Sequence, residues 1–320
     1  MRRSISQQML RRAGAIPPVS TATSEERHFV LSSLPPSPVQ KRLALIVVLG
    51  LLTVFGLIAF GPLKGVHLRP LDAFVPAYVT AMFVNDLITS ILLFAQFSIV
   101  RSRSTLVIAS GYLFTALILI PFILVFPNVF VPGNLVGGLQ STSWLWMSQH
   151  AGFALFVVGY ALWKDADYGR RLWEVAVPRA IAVSAVSTAS IVLVIALVCI
   201  LGDARLPVVA LDYLRFGPLW PYCIGAPVAA VSAAALIVLW MRRRSALDLW
   251  LAVVMCLYLI EVLLSYYPDP TRFSVGWYTV RIIGFFSSSL VLIVCCTRSR
   301  RCTRDWYVRS WPSAASARFA

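Results

Sequence analysis

The chain has 320 residues, 59% of them hydrophobic and only 13% charged, and its mean hydropathy of +0.80 excludes an ordinary soluble domain. Its 28 Lys plus Arg give a net charge of +15, which would suit nucleic acid only if the cations shared one surface. They are instead spread over loops and tails, so anionic lipid headgroups account for them and no nucleic-acid partner is expected.

Residues 1–41 hold Arg2, Arg3, Arg11, Arg12 and a Pro/Ser stretch from Leu34 to Val39. They contain no continuous apolar core that could serve as a signal peptide and read as a disordered, basic cytoplasmic arm. Eight apolar segments follow over residues 42–297: Leu43 to Leu63, Tyr78 to Val100, Thr105 to Phe126, Ser143 to Trp163, Ala180 to Leu201, Tyr222 to Met241, Leu249 to Tyr267 and Gly276 to Cys296. About 20 residues at 1.5 Å each cross a ~30 Å hydrocarbon layer. Backbone groups in lipid must be satisfied within the segment or in a closed barrel, and barrel strands would be about half as long and would alternate polar with apolar. The expected fold class is therefore an all-α polytopic bundle of eight transmembrane helices, with 298–320 a short basic cytoplasmic tail.

Lys and Arg are retained on the cytoplasmic side. The connections on the side of the N-terminus, with both tails, carry 22 of them, and the opposite connections five: Lys64, Arg69, Arg205, Arg215 and Arg272. Both termini are expected in the cytoplasm. Tyr78, Trp144, Trp146, Trp220, Tyr222, Trp277 and Tyr278 lie near the outer ends, where amphipathic rings anchor in the headgroup layer.

Helix five has a small-residue run from Ser184 to Ser190, and helix six another from Gly225 to Ala233. Both read as packing faces. An internal repeat is hinted at, because Arg101-Ser-Arg-Ser before Leu106 resembles Arg242-Arg-Arg-Ser before Leu247, and Trp144 with Gly152-Phe153 parallels Trp277 with Gly284-Phe285. That would be a four-plus-four parallel duplication. Six cysteines are too few and scattered for a disulfide framework, and zinc spacing is absent. Cys199, Cys256, Cys295 and Cys296 read as packing residues, with Cys199 and Cys223 the pair that one outer loop could bring together.

The informative residues are the ionisable ones inside apolar segments, where a charge costs roughly 2.5 to 3.5 kcal/mol on insertion scales. Asp86 lies about 12 Å below the outer edge, His150 about 10 Å, and Glu261 and Arg281 about 8 Å. Two readings of this layer stay open. In one, Glu261 and Arg281 form a structural ion pair, while Asp86 with Asn85 and His150 with Gln149 bond to neighbouring helices. In the other, these residues line a polar cavity, open to the outside, that receives a small ligand, ion or proton.

No HExxH, GxSxG, P-loop or dinucleotide glycine fingerprint occurs, so no catalysis and no metal site are expected. His150 is the only histidine within a span and His67 lies in an outer loop, which disfavours a bis-histidine haem; no cofactor is expected.

Several stretches are similar to a known family: Val75-Pro-Ala-Tyr78, Ala81-Met-Phe-Val-Asn-Asp-Leu-Ile88, Leu92-Leu-Phe-Ala-Gln-Phe97, Arg101-Ser-Arg103, Ala109-Ser-Gly-Tyr-Leu-Phe-Thr-Ala-Leu117, His150-Ala-Gly-Phe153 with Gly159-Tyr-Ala-Leu162, Arg243-Arg-Ser-Ala-Leu-Asp-Leu-Trp-Leu251 and Gly276-Trp-Tyr-Thr-Val-Arg-Ile282. In order and spacing, from about Leu43 to Cys296, the chain resembles the fourth type of bacterial membrane-associated sensor domain. That family is an eight-helix inner-membrane input module fused ahead of histidine kinase or diguanylate cyclase domains. The resemblance implies reception of a signal of unknown identity, and it puts Asn85, Asp86, His150, Glu261 and Arg281 on matching positions without giving any of them a role.

Relatives commonly carry a Pro-His pair where Pro121-Phe122 stands, which leaves a second intramembrane histidine without a counterpart. The usual effector is also missing from the 24 residues after Cys296, so the sequence reads either as a sensor acting through a separate kinase or cyclase or as a truncated or frame-shifted product. A homodimer is left open. The main alternative is a small-solute transporter, for which broken helices and inverted repeats are expected near the midplane; Pro121 and Pro227 lie near span ends, where they are tolerated.

A reporter fused after Arg304 is expected to report cytoplasm and one inserted at Asn134 the outside. A periplasmic signal from the C-terminal fusion would overturn the eight-span topology.

Overall fold

Several helices start where the sequence supplies a cap or a proline. In the computed structural model, which describes residues 35–63, 65–71, 73–164, 176–242, 245–267 and 271–310, with side chains as far as Cys296, α1 (Pro38–Ala59) opens on a capping box: the Ser37 hydroxyl accepts from the Gln40 amide at 3.2 Å, and the Gln40 side chain accepts from the Ser37 amide at 2.9 Å. Such a box satisfies two of the orphan amides of a first turn. α2 (Phe74–Val100) leads through Arg101, in the left-handed region at φ 54°, into α3 (Arg103–Val125), capped by Ser102. α4 (Ser141–Trp163) and α5 (Val177–Leu201) follow, then α6 (Ala226–Met241), entered by a π-turn at Pro221–Gly225. α7 (Ala246–Tyr266) carries a second capping box, Ser245 with Asp248, and α8 covers Val275–Ser310.

All eight expected spans are present and long and apolar enough to cross a membrane, and no strand occurs among the described residues. The expected basic arm lies almost wholly outside the described residues. The last span ends at Cys296 as expected, and its helix continues beyond it to Ser310, into the basic tail. Charge alone does not stop a helix, and no Gly or Pro stands between Gly284 and Pro312 to end it. The five cysteines whose side chains are described, Cys199 and Cys223 among them, are free thiols.

Six helices close into a ring in the order α2, α3, α4, α6, α7, α8 and back to α2. α5 lies outside against α3, and α1 outside against α7. Advancing four helices along the chain maps this set of neighbours onto itself. It is the adjacency that a four-plus-four duplication produces, with the first helix of each half laid against the third helix of the other. Burial follows position: 83% of the α7 span is buried inside the bundle, against 17% for α1 and 22% for α5. The leucines, valines and isoleucines that α1 and α5 expose are thus lipid-facing surface.

The distal end of the ring, away from the chain ends, is tied together by its loops. Leu68 N donates to Phe273 O at 2.9 Å, Val275 N to Val66 O at 2.9 Å and Arg272 N to Leu214 O at 2.6 Å. The Asp203 carboxylate accepts from the Ser141 amide at 2.6 Å and its hydroxyl at 2.7 Å, capping α4 from the opposite loop. The Gln140 side-chain oxygen accepts from the amides of Val209 and Ala210 at 2.8 and 2.9 Å.

At the proximal end the fully buried Asp248 accepts from the Tyr160 hydroxyl and the Lys164 ammonium, each at 2.7 Å, and from the Ser245 amide at 2.9 Å. It ties the end of α4 to the start of α7. Removing one partner of a buried ion pair leaves the other uncompensated. Asp248→Ala is expected to cost about 3 to 5 kcal/mol in thermal unfolding of the purified protein, and Asp248→Asn, which keeps an acceptor for Tyr160, distinctly less. Wild-type stability in Asp248→Ala would show that this network does not hold α4 to α7.

Candidate functional site

Ionisable side chains enter the ring because helix register, not sequence proximity, aims them there. Asp86 on α2, His150 on α4 and Glu261 on α7 are buried, at 3%, 4% and 2% exposure, and all three line one central cavity. α3 contributes Tyr112 and Thr115 to its wall, and α8 contributes Gly284, Ser287 and Ser288. The cavity measures about 20 Å³, room for a single water or something of that size.

His150 is the pivot. Its Nδ1 lies 2.9 Å from the Trp146 carbonyl oxygen, and its Nε2 lies 3.0 Å from Glu261 Oε2. A carbonyl can only accept, so Nδ1 carries a proton. The second contact then needs one further proton, held either by the imidazole as a cation facing a carboxylate or by a neutral Glu261 donating to a neutral ring. The pair is neutral overall in both arrangements, which suits a site without bulk water. Trp146 and Tyr258 pack on the imidazole, with ring centroids 4.0 and 4.5 Å away. Across the cavity the Ser288 hydroxyl donates to Asp86 Oδ1 at 2.7 Å.

Three buried polar atoms on this wall have no partner in the protein: Glu261 Oε1, Gln149 Nε2 and the Tyr112 hydroxyl oxygen. An acceptor, a donor and a group that can do either meet at one small cavity. Buried polar groups of this kind normally satisfy one another through a bound water or ligand.

Of the five residues picked from the sequence, the structure brings Asp86, His150 and Glu261 together and leaves two apart. Asn85 turns to the seam between α2 and α8, donating to the Ser289 hydroxyl at 2.7 Å. Arg281 does not pair with Glu261. Its guanidinium lies 4.1 Å over the Trp277 ring, donates to Trp277 O at 3.4 Å and interacts with the Tyr78 hydroxyl. The reason is register: α8 passes Glu261 at Gly284, where a Cβ would lie 3.7 Å from Oε2, while Arg281 shares a separate, more distal cavity with Ser265, one turn further along α7. Counting residues from helix ends equates the depths of Glu261 and Arg281, but α8 begins about a turn beyond the end of α7.

Tyr112, Tyr258 and Ser288 escaped the sequence reading because uncharged groups are common in spans. A signal was nevertheless present, since Ser287-Ser288-Ser289 is a polar triplet in an otherwise apolar helix. Asp248 also escaped, being placed at a helix start. Among the described residues no His/Cys/Asp/Glu cluster could hold a metal ion.

A model of the family described as membrane-associated sensor, integral membrane domain (MASE4) matches residues 69–297. The chain belongs to this family. The MASE4 match begins just ahead of α2 and includes every residue of the central cavity; the sequence resemblance was expected from Leu43, but α1 lies before the match. No curated protein and no solved structure matches the chain. The protein is thus a multi-pass membrane protein built as a MASE4 sensory input domain.

Replacing either member of the central pair leaves a buried polar group unsatisfied, at about 1 to 3 kcal/mol. In unfolding of the purified protein, His150→Phe and Glu261→Leu should each cost that much, and the double variant less than their sum. Arg281→Met combined with Glu261→Gln should be additive within a few tenths of a kcal/mol. Strong coupling in the second cycle and none in the first would reverse the assignment of partners.

Proposed function

We propose that this sensory domain reads its stimulus at the central cavity, through the proton held between His150 and Glu261 and the nearby Asp86, and delivers it along α8. The observation that carries this reading is the convergence of three ionisable side chains and three unpartnered polar atoms on one cavity of about 20 Å³. Asp248, by contrast, pairs off locally with the Tyr160 hydroxyl, the Lys164 ammonium and the Ser245 amide. Here a water, a proton or a small polar ligand completes the set.

α8 is the outlet. It forms one wall of the cavity through Gly284, Ser287 and Ser288 and continues to Ser310, a rod of about 54 Å at 1.5 Å per residue. A change in charge or packing at Ser288 has a rigid path out of the membrane, with the proximal end in the cytoplasm of a bacterial inner-membrane protein. A histidine kinase or diguanylate cyclase, joined or separate, reads that helix. Transport is the weaker reading, because α2, α4, α7 and α8, the helices that bear these groups, run unbroken past the cavity, whereas transporters unwind helices at the substrate.

The test fuses a diguanylate cyclase to the full chain and measures cyclic diguanylate in cells. Asp86→Asn, His150→Phe and Glu261→Gln should shift output about fivefold or more, the lower end of typical coupling between linked sites, at unchanged membrane abundance. Leu193→Ala, on the lipid-facing side of α5, should leave output unaltered. Unaltered output from all three cavity variants would overturn the proposal.

A further inference from the structure

The second cavity is electrically unlike the first. It lies at the distal end of the ring, beneath the α5–α6 and α7–α8 connections, and also measures about 20 Å³. Two guanidinium groups line it, Arg272 and Arg281, at 3% and 9% exposure, and no carboxylate does. Each arginine rests on aromatic faces. Arg272 lies 5.4 Å from the Phe126 ring centroid and 5.5 Å from that of Phe216, and Arg281 rests on Trp277. Ring faces hold a cation in place without cancelling its charge.

The acids in reach do not line this cavity. Asp212 is bonded to the Arg215 guanidinium at 2.8 Å, and Glu261 to His150 at 3.0 Å. Burial, and then the like charge of Arg281, push the Arg272 pKa down to about 10, so Arg272 remains a cation at neutral pH in a place that disfavours one. Two donors on the wall are also unused, since Arg272 Nη1 and Ser143 Oγ are buried with no partner. By contrast, the Thr142 and Ser265 hydroxyls donate to the Val125 and Glu261 carbonyls. Two cations, two idle donors and no carboxylate on the wall describe a receptor for negative charge.

We propose that the distal cavity is an anion site, taking a compact monovalent anion of halide or small-carboxylate size between Arg272 and Arg281 with Ser143 as an additional donor. The volume, only somewhat more than one water needs, excludes anions as bulky as gluconate. This site shares no residue with the central cavity and does not rest on the sensing role proposed for it.

The test titrates the full-length protein in nanodiscs with sodium formate, sodium chloride and sodium gluconate at constant ionic strength, following thermal stability and the fluorescence of Trp146 and Trp220, which line the cavity. An anion that binds only the folded state raises its stability saturably. Formate or chloride should do so and gluconate should not, and the relative strength of the two small anions tells a carboxylate site from a halide site. Arg272→Gln should weaken the response at least about tenfold, the effect of losing a hydrogen bond to a charged group. Ser143→Ala, a change small enough to keep the fold, should weaken it a few-fold, and Leu193→Ala, on the lipid-facing side of α5, should leave it intact. A gluconate response equal to the others, no saturable response to either small anion, or a wild-type response in Ser143→Ala together with Arg272→Gln would overturn the proposal.

Discussion

A polar atom inside a bundle that water does not fill is either paired by the protein or costs a kilocalorie or more. His150 meets that demand at both ring nitrogens, one against the Trp146 carbonyl and one against Glu261, and the second contact requires a proton that neither partner owns outright. Much of the interior follows from this. α7 must present Glu261 to α4 and not to its sequence neighbour α8, so α8 approaches at a glycine. Arg281 then has no acid to meet and settles on Trp277, which leaves positive charge at the distal end unbalanced.

The ring explains how residues from five helices reach one point. Its two three-helix arcs, α2–α3–α4 and α6–α7–α8, join along the seams α4/α6 and α8/α2. The second seam carries Asn85–Ser289 and Asp86–Ser288, adjacent residues on one helix bonded to adjacent residues on the other. Polar contacts across a seam between arcs, rather than within an arc, are where a change of protonation can shift one half of the ring against the other.

The fold was legible because lipid reduces the choices: eight apolar blocks of sufficient length, and a backbone that must satisfy itself. Asp86, His150 and Glu261 were legible for the same reason, as ionisable groups in an expensive place. Pairing was not, because a partner is chosen by helix rotation and by offsets of about one turn, and both are set by packing; the Glu261–Arg281 pair fails on one such turn. Arg272 was invisible as a buried group, since a loop charge on an outer connection looks solvated until Leu214, Phe126 and Phe216 are found around it. The extension of α8 was hidden by charge, which argues against lipid but not against helix.

The exchange of outer helices between the two halves bears on how the protein is made. α1 leaves the ribosome well ahead of its packing partner α7, which follows about 200 residues later. At ~5–20 residues per second of synthesis that interval is roughly 10 to 40 s, during which α1 stands in lipid as a single greasy rod and the ring has no closing arc. Assembly of the core is therefore a late event, completed only as the second half inserts, and a pause or a misinserted span anywhere between the two helices leaves the first one without its packing partner.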